Sequence, residues 1–259
     1  MELWTYEHFI TLVPSIIVMV LITFLLSILI GKKDIKIRRI PLMIISVLIV
    51  ILEIIKQVKS LIDGYNLYYI PLHFCSLFIF MLPLMAFYRG KKENGINEVT
   101  CAICTSLGLF MLIYPNLIYS ADNIKNFFKT FDSFHTVSFH TLVLFAYILI
   151  IGLNLHTHSK KENKLVILFG IGYSVIAASM SQILKVNFSN FYVCNVGPIE
   201  NIRHTLQESI GYVPTQILYV VLLLILHVLF ILMSYYLYIG ISKLKNKIKF
   251  KCFNKNKSL

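Results

Sequence analysis

Seven apolar stretches dominate this chain, at about 9–31, 40–62, 70–88, 99–118, 136–155, 165–184 and 214–239. Each comes near the ~20 residues that a helix needs to cross a hydrocarbon core about 30 Å thick. Inside lipid the backbone must satisfy its own hydrogen bonds, so such stretches fold as helices. The expected fold class is therefore all-α: a polytopic transmembrane helical bundle of about seven spans. An ordinary globular domain is excluded by composition, because 58% of the residues are hydrophobic, only 14% are charged and the mean hydropathy is +0.77.

The net charge of +12 does not point to nucleic acid, because the basic residues occur in short runs between apolar stretches rather than on an aromatic-interleaved surface. They act as topology signals. Alternating the loops between two sides puts eighteen Lys and Arg on one side and six on the other. By the positive-inside rule this predicts an N-out, C-in protein with a basic cytoplasmic tail at 240–259. The second stretch is interrupted by Glu53, Lys56, Gln57 and Lys59. It is kept as a span because removing any middle span destroys that asymmetry.

The first eight residues carry Glu2 and Glu7 and no Lys or Arg, which argues against a cleavable signal peptide and for a true first span. No solenoid repeat, low-complexity linker or second domain is evident, so residues 1–259 are expected to form one transmembrane domain. In the loop 119–135, Phe127, Phe128, Phe131 and Phe134 are spaced as one face of a short interfacial helix. The long loop 185–213 is either a lid or site wall or a passive connection.

Orientation converts position into depth at ~1.5 Å per residue. Glu53 is expected about 20 Å up from the cytoplasmic side, and Cys75 roughly 7 or 8 Å below the outer end of the third span. His140 falls near the outer mouth of the fifth span, Asn116 near the outer end of the fourth, and Asn190, Cys194 and His204 in the last outer loop. Reactive groups from five segments thus map to one level of the membrane. Ionisable groups at such depth face a bundle interior or a hydrated cavity. Glu53 and Lys56, three apart on one helix face, are either a structural ion pair or the polar wall of a cavity that opens outward.

His73 and Cys75 are two apart, about 200° of helix rotation, so a base for Cys75 is expected from another helix, with His140 the candidate. A cysteine in a membrane is otherwise a small buried hydrophobe, and a lone His a hydrogen-bonded helix-end residue. The spacings of His73 to Cys75 and His135 to His140 do not suit a metal site, and no cofactor is expected. Cys101-x-x-Cys104 has redox spacing but lies at the cytoplasmic end of its span and is read as packing. A disulfide between Cys75 and Cys194 is the alternative that would remove the nucleophile.

Glu53, IPLHFCSL at 70–77, YPN at 114–116, FHTLVL at 139–144 and SNFYV at 189–193 together resemble the YwaF family of bacterial membrane proteins. That family is related to animal transmembrane protein 164, described as an acyltransferase acting on phospholipids. The resemblance covers roughly spans two to seven. It implies Cys75 as acyl-accepting nucleophile, His140 as its base, and Glu53 and His73 as supporting residues. Asn116 stands where an Asp is expected after the Pro, and His135 has no clear counterpart.

We therefore read the chain as a multi-pass membrane protein, expected in a bacterial plasma membrane, whose partners are membrane lipids and not nucleic acid. The expected activity is lipid acyl transfer through Cys75 and His140, with Asn116 and Asn190 as further substrate-binding candidates and Asn190 a possible oxyanion donor. The competing class is a small-solute or ion transporter with a polar intramembrane cavity and no covalent chemistry. Gly170, Gly172, Pro83 and Pro115 would suit its flexible or broken helices; charged residues on the inner half of the spans are lacking.

Overall fold

The apolar stretches become helices whose ends are set by local polar chemistry. The computed structural model describes residues 2–158 and 162–255, without the side chains from 245 onward. Its main helices are α1 (Tyr6–Ile30), α2 (Ile40–Ile62), α3 (Phe78–Phe87), α4 (Glu93–Ile113), α5 (Phe131–Gly152), α6 (Asn163–Leu184), α7 (Gly197–Ile210) and α8 (Tyr212–Lys255). Six of these elements are long and apolar enough to cross a membrane, and Phe74–Phe87 is a shorter apolar segment. About seven spans is the result.

Helix α4 is the axis of the bundle. In its most apolar window 72% of the residues are buried, against 11% for α1 and for α8, which present most of their surface outward. Helix α8 packs along α4 and α6, while α2 packs on α3 and α5. Outward-facing residues such as Phe24, Leu29, Ile62 and Leu226 remain apolar because lipid, not water, is their solvent. At the start of α1 the Thr5 backbone N–H donates to His8 Nδ1 at 3.3 Å, and His8 Nε2 lies 2.9 Å from the Tyr119 carbonyl. The His8 ring also stacks on the Tyr119 ring, at 5.5 Å between centroids.

Two expectations change. The stretch 70–88 is not one helix: Leu67–Tyr69 and Phe74–Leu77 are 3-10 turns, His73 is extended (φ −70°, ψ 152°), and α-helix begins only at Phe78. The backbone there finds partners elsewhere. Phe74 N–H donates to Ser189 Oγ at 2.8 Å and the Leu72 carbonyl accepts from the Tyr173 hydroxyl at 3.2 Å. Cys75 therefore stands at the entrance to α3 rather than within it, and the 200° rotation assigned to His73 and Cys75 does not apply.

The stretch 99–118 is displaced toward the N-terminus, as α4 runs from Glu93 and ends where Tyr114 (φ −142°, ψ 66°) precedes Pro115. Its first turns thus carry charge that the apolar count left in a loop. Glu93 pairs with Arg39 at 2.6 Å, and Glu98 is fully buried. Helix α6, by contrast, is unbroken. Gly170 serves close packing, since a Cβ there would meet Ile231 of α8 at 3.4 Å. The basic tail continues α8 as helix to Lys255, and residues 256–259 lie outside the described residues.

Candidate functional site

The chain alternates direction from helix to helix, so the C-terminal ends of α2, α4 and α6 and the N-terminal ends of α3, α5 and α8 meet at one end of the bundle. Glu53 lies on the buried face of α2 and is the hub of a polar network there. Its Oε1 is 2.8 Å from Lys56 Nζ and accepts from Gln57 Nε2 at 2.7 Å, while Oε2 is 3.4 Å from His135 Nε2 on α5. Gln57 also donates to the Tyr69 carbonyl at 2.7 Å and accepts from the Tyr65 hydroxyl at 2.9 Å. A buried carboxylate is costly unless paired, and three neighbours share that task.

Lys56 also lines a polar cavity of about 230 Å³ together with Lys59, Asp63, Asn66, Tyr69 and Asp132. Glu53 and Lys56 thus form the ion pair, and Lys56, though not Glu53, lines the cavity. His135 and Gln57 were not singled out as site residues in the sequence. The signal that could have found His135 is the need of a buried acid for a partner from another helix.

His73 and Cys75 follow on the turn that leads into α3. His73 Nε2 lies 3.0 Å from the Tyr68 carbonyl, and a carbonyl only accepts, so the proton sits on Nε2 and Nδ1 keeps its lone pair. Its ring is held between Tyr68 and Phe188, with centroids at 4.3 and 5.3 Å. Cys75 is a half-buried free thiol packed against the core, and Cys194 is likewise free, so the two do not form a disulfide. His140 is buried in α5 with Nδ1 2.7 Å from the Thr136 carbonyl. The same logic leaves its Nε2 as an unprotonated acceptor.

The segment 187–194 closes over this turn. Ser189 and Asn190 both adopt left-handed backbone, with φ of 49° and 68°, which non-glycine residues seldom do. Side chains hold them: Ser189 Oγ accepts from Phe74 N–H and lies 2.6 Å from the Tyr173 hydroxyl, and the Asn190 carbonyl accepts from the Tyr219 hydroxyl. Ser189 and Tyr173 were not singled out by their chemistry; a serine and a tyrosine in apolar surroundings carry no motif. Asn116 sits on the short helix Pro115–Ile118 and donates from Nδ2 to the Glu2 carbonyl at 3.1 Å.

The opposite end of the bundle holds a second polar cluster. Glu98 Oε1 is 3.2 Å from His156 Nε2 and 3.0 Å from His158 Nδ1, and the Tyr235 hydroxyl donates to Asn163 Oδ1 at 2.8 Å beside them. Buried charge is therefore present at this end of the spans as well, contrary to the expectation from the sequence. Cys101 and Cys104 are buried free thiols in the same core. Among the described residues no group of three or more His, Cys, Asp or Glu side chains is placed to hold a metal ion.

The model for the TMEM164 family matches residues 3–235, nearly the whole chain. The chain belongs to the TMEM164 family. It is a multi-pass membrane protein of that family, and the match spans every helix from α1 into α8. No curated protein and no solved structure matches the chain.

Proposed function

We propose that this member of the TMEM164 family is a lipid acyltransferase that carries the acyl group on Cys75. The observation that supports this most is the position of Cys75, a free thiol at the edge of the apolar core, on a turn whose backbone is held by Ser189 from a distant segment. An acyl chain can reach such a thiol from the lipid side, while a headgroup reaches the polar cavity beside Lys56.

In the first half-reaction His140 Nε2 takes the thiol proton as the Cys75 sulfur attacks a phospholipid ester carbonyl. The tetrahedral oxyanion collapses, the ester C–O bond breaks, and the imidazolium returns the proton to the departing lysophospholipid oxygen. A thioester remains. In the second half, an acceptor hydroxyl loses its proton to His140, attacks the thioester carbonyl and releases the Cys75 thiolate, which the imidazolium reprotonates. Lys56, held by Glu53, contributes to the polar wall, His73 supports the turn that carries Cys75, and Asn190 is the side-chain candidate for the oxyanion. On the N-out orientation the donor is a phospholipid of the outer leaflet in a bacterial plasma membrane.

The test uses the full-length protein in phosphatidylcholine and phosphatidylglycerol vesicles with an electrophilic lipid ester probe. Cys75→Ser is expected to abolish labelling, and His140→Gln to slow it by roughly 10²–10⁴-fold, the range of a lost general base. Undiminished labelling of Cys75→Ser sinks the proposal. The polar cavity also favours a second reading, solute binding without covalent chemistry. Under it Cys75→Ser leaves lipids unchanged and Glu53→Gln abolishes uptake.

A further inference from the structure

Helix α7 (Gly197–Ile210) has 14 residues, too few to span a bilayer, and lies between the 187–194 segment and α8. At about 100° of rotation per residue its side chains sort into three arcs. The first, of Glu200, Arg203 and Gln207, faces the protein. Buried Arg203 donates through Nε to Glu200 Oε2 at 2.9 Å and through Nη1 to Gln216 Oε1 at 3.1 Å, and Glu200 Oε2 accepts Cys194 N–H at 3.1 Å. The second arc, centred about a quarter-turn away, carries Ile199, Ile202, Leu206 and Ile210, which are 48%, 61%, 36% and 49% exposed. The third, turned away from both, is exposed and polar: Asn201, His204, Thr205 and Glu208.

The apolar arc does not end with the helix. The chain turns at Gly211 (φ 85°) straight into α8, whose first turns expose Tyr212, Val213 and Ile217 by 48%, 64% and 61%. Those residues begin the surface with which α8 meets lipid. We propose that α7 lies in the plane of the membrane interface at this end of the bundle, with Ile199, Ile202, Leu206 and Ile210 seated among the lipids of that leaflet. Protein beside, lipid beneath and water above is the order its three arcs provide. A helix standing in water would instead expose this stripe and the start of α8 together.

The seat has a structural consequence. Glu200 of α7 holds Cys194, while Gln216 and Tyr219 of α8 hold the Tyr192 and Asn190 carbonyls and Gln216 accepts from Arg203, so α7 and the start of α8 together clamp the segment that presents Ser189 to the Cys75 turn. Lipid contact at α7 thereby braces that segment, whatever chemistry occurs beneath it.

The test places a single tryptophan on each exposed arc of the full-length protein, in phosphatidylcholine nanodiscs, after replacing the sole native one by Trp4→Phe. Ile202→Trp and, as an independent position, Leu206→Trp are expected to emit to the blue. Brominated phosphatidylcholine should quench them roughly twofold or more relative to Glu208→Trp, and acrylamide should quench them less. Two results overturn the proposal. One is equal acrylamide quenching at all three positions without a bromolipid effect. The other is blue-shifted emission at Ile202 and Leu206 that bromolipid leaves unchanged, which would mean that protein, such as a second copy, covers the stripe.

Discussion

The two ends of the bundle each bury a glutamate against histidine, yet they are built for different ends. Glu98 is fully buried, and two imidazole nitrogens from the 153–158 segment converge on one of its oxygens. That arrangement ties the segment to α4 and α8 like a closed joint. Glu53 is paired just as closely, but its partner Lys56 also faces a cavity of about 230 Å³. A charge that borders hydrated space can be reorganised at low cost; one enclosed by protein cannot. Under the proposed function, the first cluster serves stability and the second serves ligand chemistry.

The sharpest way to break this comparison is to delete each carboxylate and weigh the losses. Glu98→Ala strands His156, His158 and their neighbours in an enclosed site and should cost about 3 kcal/mol or more, the scale of a broken buried pair. Glu53→Ala also breaks a buried pair, but it leaves Lys56 able to turn into the cavity, so it should cost less than Glu98→Ala while removing lipid modification. Thermal unfolding in one detergent, read beside probe labelling, measures both. Equal destabilisation by the two variants would show that the ends do not differ in kind.

A smaller effect is expected at the contact that joins the cavity end to the rest of the fold. Ser189→Ala removes the acceptor of Phe74 N–H and the partner of the Tyr173 hydroxyl. Leaving a half-buried amide unsatisfied costs about 1–3 kcal/mol. If the bond serves to present Cys75, Ser189→Ala should lower labelling of that thiol more than Tyr173→Phe, which keeps Ser189 and its bond to Phe74. Similar labelling in both variants would assign the bond to packing alone.

How much of this could be read from the sequence follows from what each signal measures. Hydropathy measures burial in lipid, so it located seven apolar segments, and helix alternation then brought Glu53, Cys75 and His140 to one end. Hydropathy does not measure hydrogen bonding. It could not tell that residues 70–77 leave the α-helix, because their backbone partners, Ser189 and Tyr173, lie more than a hundred residues away. It also placed Glu98 outside its helix, since a window begins where charge stops, whereas α4 begins six residues before that window, at Glu93, with the charge paired inside. His135 stayed out of view for a related reason: its role exists only opposite Glu53.

The smallest effect concerns the clamp between α7 and the segment above the cavity end. The hydrogen bond from Arg203 holds the Glu200 carboxyl below its ordinary value, and the Cys194 amide adds to this. A depressed carboxylate contributes stability that is present above its unfolded value and is lost as pH falls through the folded one. The clamp should therefore stay intact through neutral and mildly acidic pH and loosen only below the ordinary carboxylate range. Because Glu200 is partly open to solvent, the loss should be local rather than global. Hydrogen exchange of the Cys194 amide as a function of pH reads it directly: protection should fall on acidification in the wild type and be low at every pH in Glu200→Ala, which lacks the acceptor, while α4 amides stay protected in both. Loss of protection in α4 over the same pH range would mean that the acid-sensitive element is not this clamp but the enclosed Glu98 cluster at the other end.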